Sequence, residues 1–169
     1  MLGELERAGD LWHLRFTRRL KHSPERVWQA LTEPAELKMW FPDTIVVHEW
    51  RVGAPLEFRH DEGLYAFHGE VLVYDPPRAL EMRWGTDHLR FELEPAADGS
   101  VLTLIDSIDE RGKAARDAAG WHLCLDRLEA AVDETTAPSM ERWKTVNHEY
   151  VEKFGPEAST IGPPDTAAG

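Results

Sequence analysis

The 169-residue sequence has one cysteine, Cys124, and no long apolar run. A single thiol excludes an internal disulfide, and a metal cluster built on cysteines is not expected. No stretch approaches the roughly 20 consecutive apolar residues of a membrane-spanning helix. The N-terminus, MLGELERAGD, is charged and lacks the apolar segment of a secretory signal. Cytoplasmic residence is the expectation, with no membrane partner. Positive charge is also scarce: 19 Lys and Arg stand against 31 Asp and Glu, a formal net charge of -12. Phosphate contacts need clustered basic residues, and no basic stripe occurs, so no nucleic-acid partner is expected. The eight histidines are scattered with no HxH or HExxH spacing. Phosphate-loop and dinucleotide fingerprints are missing as well. No metal and no cofactor is expected.

What the sequence does have is patterning. In LWHLRFTRRL (11–20), Trp12, Leu14 and Phe16 alternate with His13, Arg15 and Thr17, the period of a strand with one buried face. SPERVWQALTEPAELKMWFP (23–42) then changes period. Ser23 suits an N-cap and Pro24 the first helical position. Val27, Trp28 and Leu31 fall on one face. Pro34 restarts a second short helix carrying Leu37, Trp40 and Phe41, and Pro42 stops it.

Period two returns in TIVVHEW (44–50), APLEFRH (54–60), LYAFHGEVLVY (64–74), ALEMRWG (79–85), HLRFELEP (88–95) and SVLTLIDSI (100–108). The short links between them predict an antiparallel meander, about seven strands with the first. Register follows from face parity, because a one-residue slip turns a strand inside out. The predicted pairs are His60 with Tyr65, Phe58 with Phe67, Leu56 with Gly69, Val73 with Leu80, Val71 with Met82, and Gly69 with Trp84. Beyond the next turn they are Trp84 with Leu89, Met82 with Phe91, Leu80 with Leu93, Leu93 with Leu102, Phe91 with Leu104, and Leu89 with Asp106. This register gathers the large apolar residues on one face. The other face, with Glu57, Arg59, His68, Glu70, Glu81, Arg83, Arg90 and Glu92, is solvated.

An apolar sheet face needs a cover. KAARDAAGWHLCLDRLEAAVD (113–133) supplies it, with Ala114, Ala118, Trp121, Leu125, Leu128 and Val132 on one stripe. Gly120 inside this helix points to close backbone approach or a late helix start. A further helical pattern, Met140, Trp143, Asn147, Tyr150 and Phe154, either packs back on the domain or builds a homodimer. The expected division is a domain over 1–134, an added helix over 135–154, and a disordered Gly/Pro/Ala/Thr-rich tail over 155–169.

This order of elements resembles the helix-grip fold of the START-like, or SRPBCC, superfamily, which includes the birch pollen allergen and lipid-transfer domains. Within it the chain is similar to the branch named after the C-terminal domain of the heat-shock-protein-90 ATPase activator. The resemblance rests on SPERVWQALTEPAELKMWF, GEVLVYDPPRALEMRW, ADGSVLTLIDS and GWHLCLDRLEAAV, and covers residues 11–133. It implies an α+β fold, a curved antiparallel sheet wrapped on a long C-terminal helix. It also implies a small hydrophobic ligand between helix and sheet.

The candidate ligand-binding residues are the inward-parity aromatics Phe58, Tyr65, Phe67, Trp84 and Phe91, with Trp121 and Leu125 from the helix. Trp40 and Phe41 stand where a pocket mouth would open. His60, Tyr65 and Asp106 are the polar candidates on the same face. Each has a plainer alternative: the aromatics as filled core, His60 exposed at a hairpin tip, Asp106 at a strand end. No catalytic residue is assigned. Cys124, on an apolar helix edge, reads as an inert core thiol. Three functions stay open: binding of a hydrophobic ligand, a protein-interaction or chaperone-partner module, and a cyclase- or hydrolase-type enzyme using His60, Tyr65 or Asp106.

Overall fold

The computed structural model describes residues 1–163, apart from the side chain of Asp61. Its elements are β1 (Glu4–Ala8), β2 (Leu11–Leu20), α1 (Pro24–Thr32), α2 (Pro34–Trp40), β3 (Thr44–Val46), β4 (Pro55–His60), β5 (Tyr65–Asp75), β6 (Ala79–Trp84), β7 (Asp87–Ala96), β8 (Gly99–Ile108), α3 (Ala114–Val132) and α4 (Trp143–Phe154). The strands form one antiparallel sheet in the order β1-β2-β8-β7-β6-β5-β4-β3. It is the helix-grip architecture, with one strand more than the periodicity indicated. β1 is a short edge strand hairpinned onto β2 through Gly9 and Asp10.

β2 lies near one edge of the sheet and β3 at the other. α1 and α2 make the crossing. The Ser23 hydroxyl accepts from Arg26 N–H at 3.2 Å, and Pro24 opens α1. The crossing is then pinned by two indoles. Trp40 Nε1 donates to Ala30 O at 2.8 Å, and Trp50 Nε1 donates to Thr32 O at 3.0 Å, satisfying carbonyls at the end of α1. Trp50 is not on a strand; the segment 44–50 pairs only over Thr44–Val46.

Parity sorts the faces as expected. Leu56, Phe58, Val71, Met82, Leu89, Phe91, Leu102, Leu104 and Asp106 are all buried. The opposite face carries a lattice of charge pairs: Arg59 on Glu57, Arg83 on Glu70, and Arg90 on both Glu81 and Glu92. The β4–β5 and β7–β8 registers match the predicted pairs. Two pairings differ. A bulge between Val71 and Val73 sets Tyr74, not Val73, opposite Leu80, and Tyr74 packs on Trp28. In the β6–β7 hairpin the loop is only Gly85-Thr86, so Asp87 pairs with Trp84, Leu89 with Met82 and Phe91 with Leu80, two residues from the expected register. A slip of two preserves the faces but draws Asp87 out of the turn and buries it.

At Gly69, a Cβ would lie 1.9 Å from the Arg83 carbonyl oxygen, so the close approach is backbone to backbone.

α3 is 19 residues, about 28 Å at 1.5 Å per residue. It lays Ala114, Ala118, Trp121, Leu125, Leu128 and Val132 into the sheet. α4 packs on α3, with Val146 and Tyr150 buried. The Tyr150 hydroxyl accepts from Gly3 N–H at 2.8 Å and is free to donate to His122 Nδ1 at 2.9 Å. One side chain thus ties α4, α3 and the N-terminus. The composition of 155–169 read as a tail, yet the chain runs on in a turn over Pro156–Ala158, with Ala158 buried and Ile161 N–H donating to Gly112 O. Residues 164–169 lie outside the described residues. No described helix is long and apolar enough to cross a membrane.

Candidate functional site

Aromatic rings in contact occupy the middle of the grip. Phe41 is the hub: its ring lies 5.4 Å from Trp40, 6.2 Å from Phe58, 6.3 Å from Trp84 and 5.6 Å from Trp121, centroid to centroid. Phe67 stacks on Phe58 at 5.2 Å, and Phe91 meets Trp40 edge-on at 5.8 Å. Trp84 and Trp121, the two residues able to open or close an inner cavity, meet edge to face at 5.3 Å. Phe58, Phe91 and Leu125 are fully buried packing.

Space lies at the mouth of the grip. A cavity of about 310 Å³ is lined by Pro42, Trp84, Arg116, Asp117, Gly120, Trp121, Cys124, Met140, Trp143 and Pro163. Gly120 forms part of its floor, since a Cβ there would meet nothing within 4 Å. A second cavity, about 290 Å³, adjoins it through Trp84, Arg116 and Asp117 and adds Phe67, Asp87 and Lys113. A third, about 380 Å³, shares Pro42, Cys124 and Met140 and reaches Trp40, Phe41, His60 and Arg127. Together they form a groove across α3. One wall is the Trp84 hairpin and the other is the start of the 140–154 helical region.

Carboxylates fix the two central indoles. Trp84 Nε1 donates to Asp43 Oδ2 at 2.8 Å, and His60 Nδ1 donates to Asp43 Oδ1 at 2.7 Å. Trp121 Nε1 donates to Asp106 Oδ2 at 3.0 Å. Each ring therefore has one orientation in a preformed wall.

The three polar candidates do not share a place. Asp106 is fully buried behind Trp121. His60 is half exposed on Asp43. Tyr65 is 61% exposed, because it follows the hairpin turn where the sheet face has left the core. Asp106 instead meets two carboxylates that periodicity did not single out, Asp87 and Asp117; one oxygen from each of the three lies within 4.8 Å of the others. Such a set has the donors for a cation. Lys113 Nζ is 3.1 Å from Asp87 and 3.3 Å from Asp109, and Arg116 Nε donates to Asp117 at 2.8 Å. Burial, reinforced by the charges of Asp87 and Asp117, holds the Asp106 carboxyl well above the usual carboxylate range; the Trp121 N–H opposes this. Burial also raises Asp117, against the pull of Arg116. Lys113 is raised too: burial works against its charge, and Asp87 and Asp109 outweigh it. Burial pushes the Cys124 thiol up to about 12, which makes it an unreactive wall residue.

Residues 21–133 match the family described as activator of Hsp90 ATPase homolog 1-like protein. Among solved structures, the chain is similar to the conserved protein of unknown function EF2215 from Enterococcus faecalis, with 24% identity over 89% of each chain and a TM-score of 0.77. It is similar to CalU16 from Micromonospora echinospora, 22% identical over 90% of this chain and 92% of that one, TM-score 0.69. The protein encoded by BPP1335 of Bordetella parapertussis is 22% identical with the same coverage, TM-score 0.68. At these identities the likenesses establish the fold. No curated protein matches the chain significantly.

Proposed function

The chain belongs to the activator of Hsp90 ATPase homolog 1-like family, and on that premise we propose that it binds a small hydrophobic molecule in the groove across α3. The observation that carries this reading is the cavity of about 310 Å³ walled by Trp84, Trp121, Trp143, Met140 and Pro42. Its size and apolar lining, with a few polar groups at one end, suit a small ligand. Members of this fold family often hold hydrophobic ligands. The site differs from the one the sequence suggested. Trp40, Phe41, Phe67, Trp84, Trp121 and His60 line the groove, whereas Phe58, Phe91, Leu125 and Asp106 support it from behind and Tyr65 takes no part.

The enzyme reading required His60, Tyr65 or Asp106 to converge on an open pocket, and nothing in their separate positions supports that. The interaction reading drew on the apolar face of the last helix. Tyr150 of that face, with Val146 beside it, is buried inside the chain, which supports a monomer; sedimentation of the full chain at two concentrations tests this, and a dimer rejects it. The binding proposal is tested by a thermal-shift screen with apolar aromatic probes on the protein and on Gly120→Leu, which fills the cavity floor. Ligand-dependent stabilisation of the wild type that Gly120→Leu abolishes supports the groove. Stabilisation that survives in Gly120→Leu places the ligand elsewhere and rejects it.

A further inference from the structure

The two ends of the groove differ in charge balance. Where it opens toward Asp87 and Asp117, each acid has its own cation: Lys113 Nζ lies 3.1 Å from Asp87, and Arg116 Nε donates to Asp117 at 2.8 Å. Burial favours the neutral, protonated form of Asp106 behind them. The opposite end lies over the end of α2 and the second half of α3. Lys38 and Arg127 line the third cavity there, beside Met39, Trp40, Pro42 and Met140. Neither has a carboxylate within ion-pair distance among the described residues. Arg127 is half-buried, and its Nε donates to Met39 O at 3.3 Å. That bond steers the guanidinium without neutralising it, and leaves the Nη1 and Nη2 edge of the fork to an outside acceptor. Asp43, the acid near this end, already accepts from Trp84 Nε1 and His60 Nδ1. Positive charge thus stays uncompensated at one end of the groove, on a chain whose net charge is -12.

The basic end is continuous with the ring-walled cavity, since both are lined by Pro42, Cys124 and Met140. Along α3 the floor runs from Gly120 through Cys124 to Arg127, about 10 Å at 1.5 Å per residue. A small molecule with an aromatic body and an acid group at one end has that length. The planar guanidinium fork matches a carboxylate, donating to both of its oxygens. Met39 and Met140, 49% and 45% exposed, flank the basic cavity. Their flexible thioethers can close over ligands of differing outline.

We infer that the groove selects a hydrophobic carboxylic acid: an apolar, preferably aromatic body lying on Trp84, Trp121 and Trp143, with its carboxylate set against Arg127 and Lys38. This rests on the groove reading and names its ligand class. A hydrophobic amine meets no unmatched acid at either end, and a neutral ligand gains nothing from the two cations.

The test uses the full chain and three probes of similar shape: 2-naphthoate, 2-naphthylmethanol and 2-naphthylmethylamine. They are titrated by calorimetry at pH 7 and physiological salt, where the field of distant charges is screened beyond roughly 8 Å. The naphthoate should bind about tenfold more tightly than the alcohol, as expected for a charge-assisted contact, and the amine no more tightly than the alcohol. Arg127→Gln should bring the naphthoate down to the affinity of the alcohol measured on the same variant, and Lys38→Gln should narrow the difference. Arg19→Gln, an equal loss of charge at an exposed position on β2, should leave the preference intact. Thermal melting confirms that each variant folds. Equal affinity for naphthoate and alcohol, tighter binding of the amine, or a preference that survives Arg127→Gln overturns the inference and leaves the groove standing. A preference lost equally in Arg19→Gln assigns it to overall charge and overturns the inference as well. No binding by any of the three probes overturns both.

Discussion

Replacing Asp106 by asparagine isolates the cost of the buried acid. The change keeps an oxygen to accept from Trp121 Nε1, a bond of 3.0 Å, and puts an amide donor beside Asp87 and Asp117 in place of the protonated carboxyl. The native carboxyl is held well above its usual value of 3.8, chiefly by burial. From 3.8 up to the native value, the folded chain therefore keeps a proton that the unfolded chain has released. Stability must fall as pH rises through that window, by up to about 1.4 kcal/mol per pH unit for one proton. The asparagine variant has no such proton to lose. Its stability relative to wild type should climb with pH at that rate and level off above the native value, leaving the variant more stable at neutral pH. Each kcal/mol corresponds to about 2–4 °C in Tm for a chain of this size. Urea unfolding from pH 4.5 to 8 measures both curves. Parallel curves, or a variant less stable than wild type by more than about 1 kcal/mol at pH 8, would refute the reasoning, since Asp106 would then be ionised and held by a favourable partner.

Tyr150→Phe removes the hydroxyl that links Gly3 and His122, at an expected cost of about 1–3 kcal/mol in denaturant unfolding. His122 is lowered, first by burial and further by Arg18 and Arg142 against the opposing pull of Asp126. The unfolded chain therefore takes up its proton first, so the contribution of His122 falls as pH drops below about 6.5, and the stability of wild type relative to His122→Gln should decline over that range. Gly69→Ala sets a Cβ 1.9 Å from Arg83 O and should cost at least about 3 kcal/mol or prevent folding, read from soluble yield and melting. Gly120→Ala has open space around its Cβ and should stabilise α3 by about 0.5–1 kcal/mol in the same melt.

Hydrophobic period gave the grip because the core is what period reports. The 11–20 strand, the paired helices after it, and the Trp121, Leu125 and Leu128 stripe all stand where alternation or helical spacing set them. The edge strand Glu4–Ala8 was illegible, since its burial pattern shows no clean alternation. Register failed where local backbone geometry decided it: the bulge after Val71 and the two-residue Gly85-Thr86 loop. The second of these hid the acid cluster. Pairing Trp84 with Leu89 makes 85–88 a turn and leaves Asp87 in solvent; pairing Trp84 with Asp87 shortens the loop to Gly85-Thr86 and buries Asp87 beside Asp106. Asp106 itself was visible from parity. Asp117 had only its position one helical turn before Trp121 to mark it. The groove was missed because packing, which no periodicity encodes, seats Trp84 on Trp121 and moves the free space outward.

The seven tryptophans offer the most direct measurement of the central claim, that the groove over α3 is where a hydrophobic ligand binds. In a ¹⁵N spectrum each indole N–H is a separate probe. Titration with 2-naphthylmethanol should shift the Trp84, Trp121 and Trp143 signals together and saturably, with Trp12, Trp28 and Trp50 unmoved. Shifts confined to Trp12, Trp28 or Trp50, or no saturable change at Trp84, Trp121 and Trp143 with 2-naphthylmethanol, would contradict it.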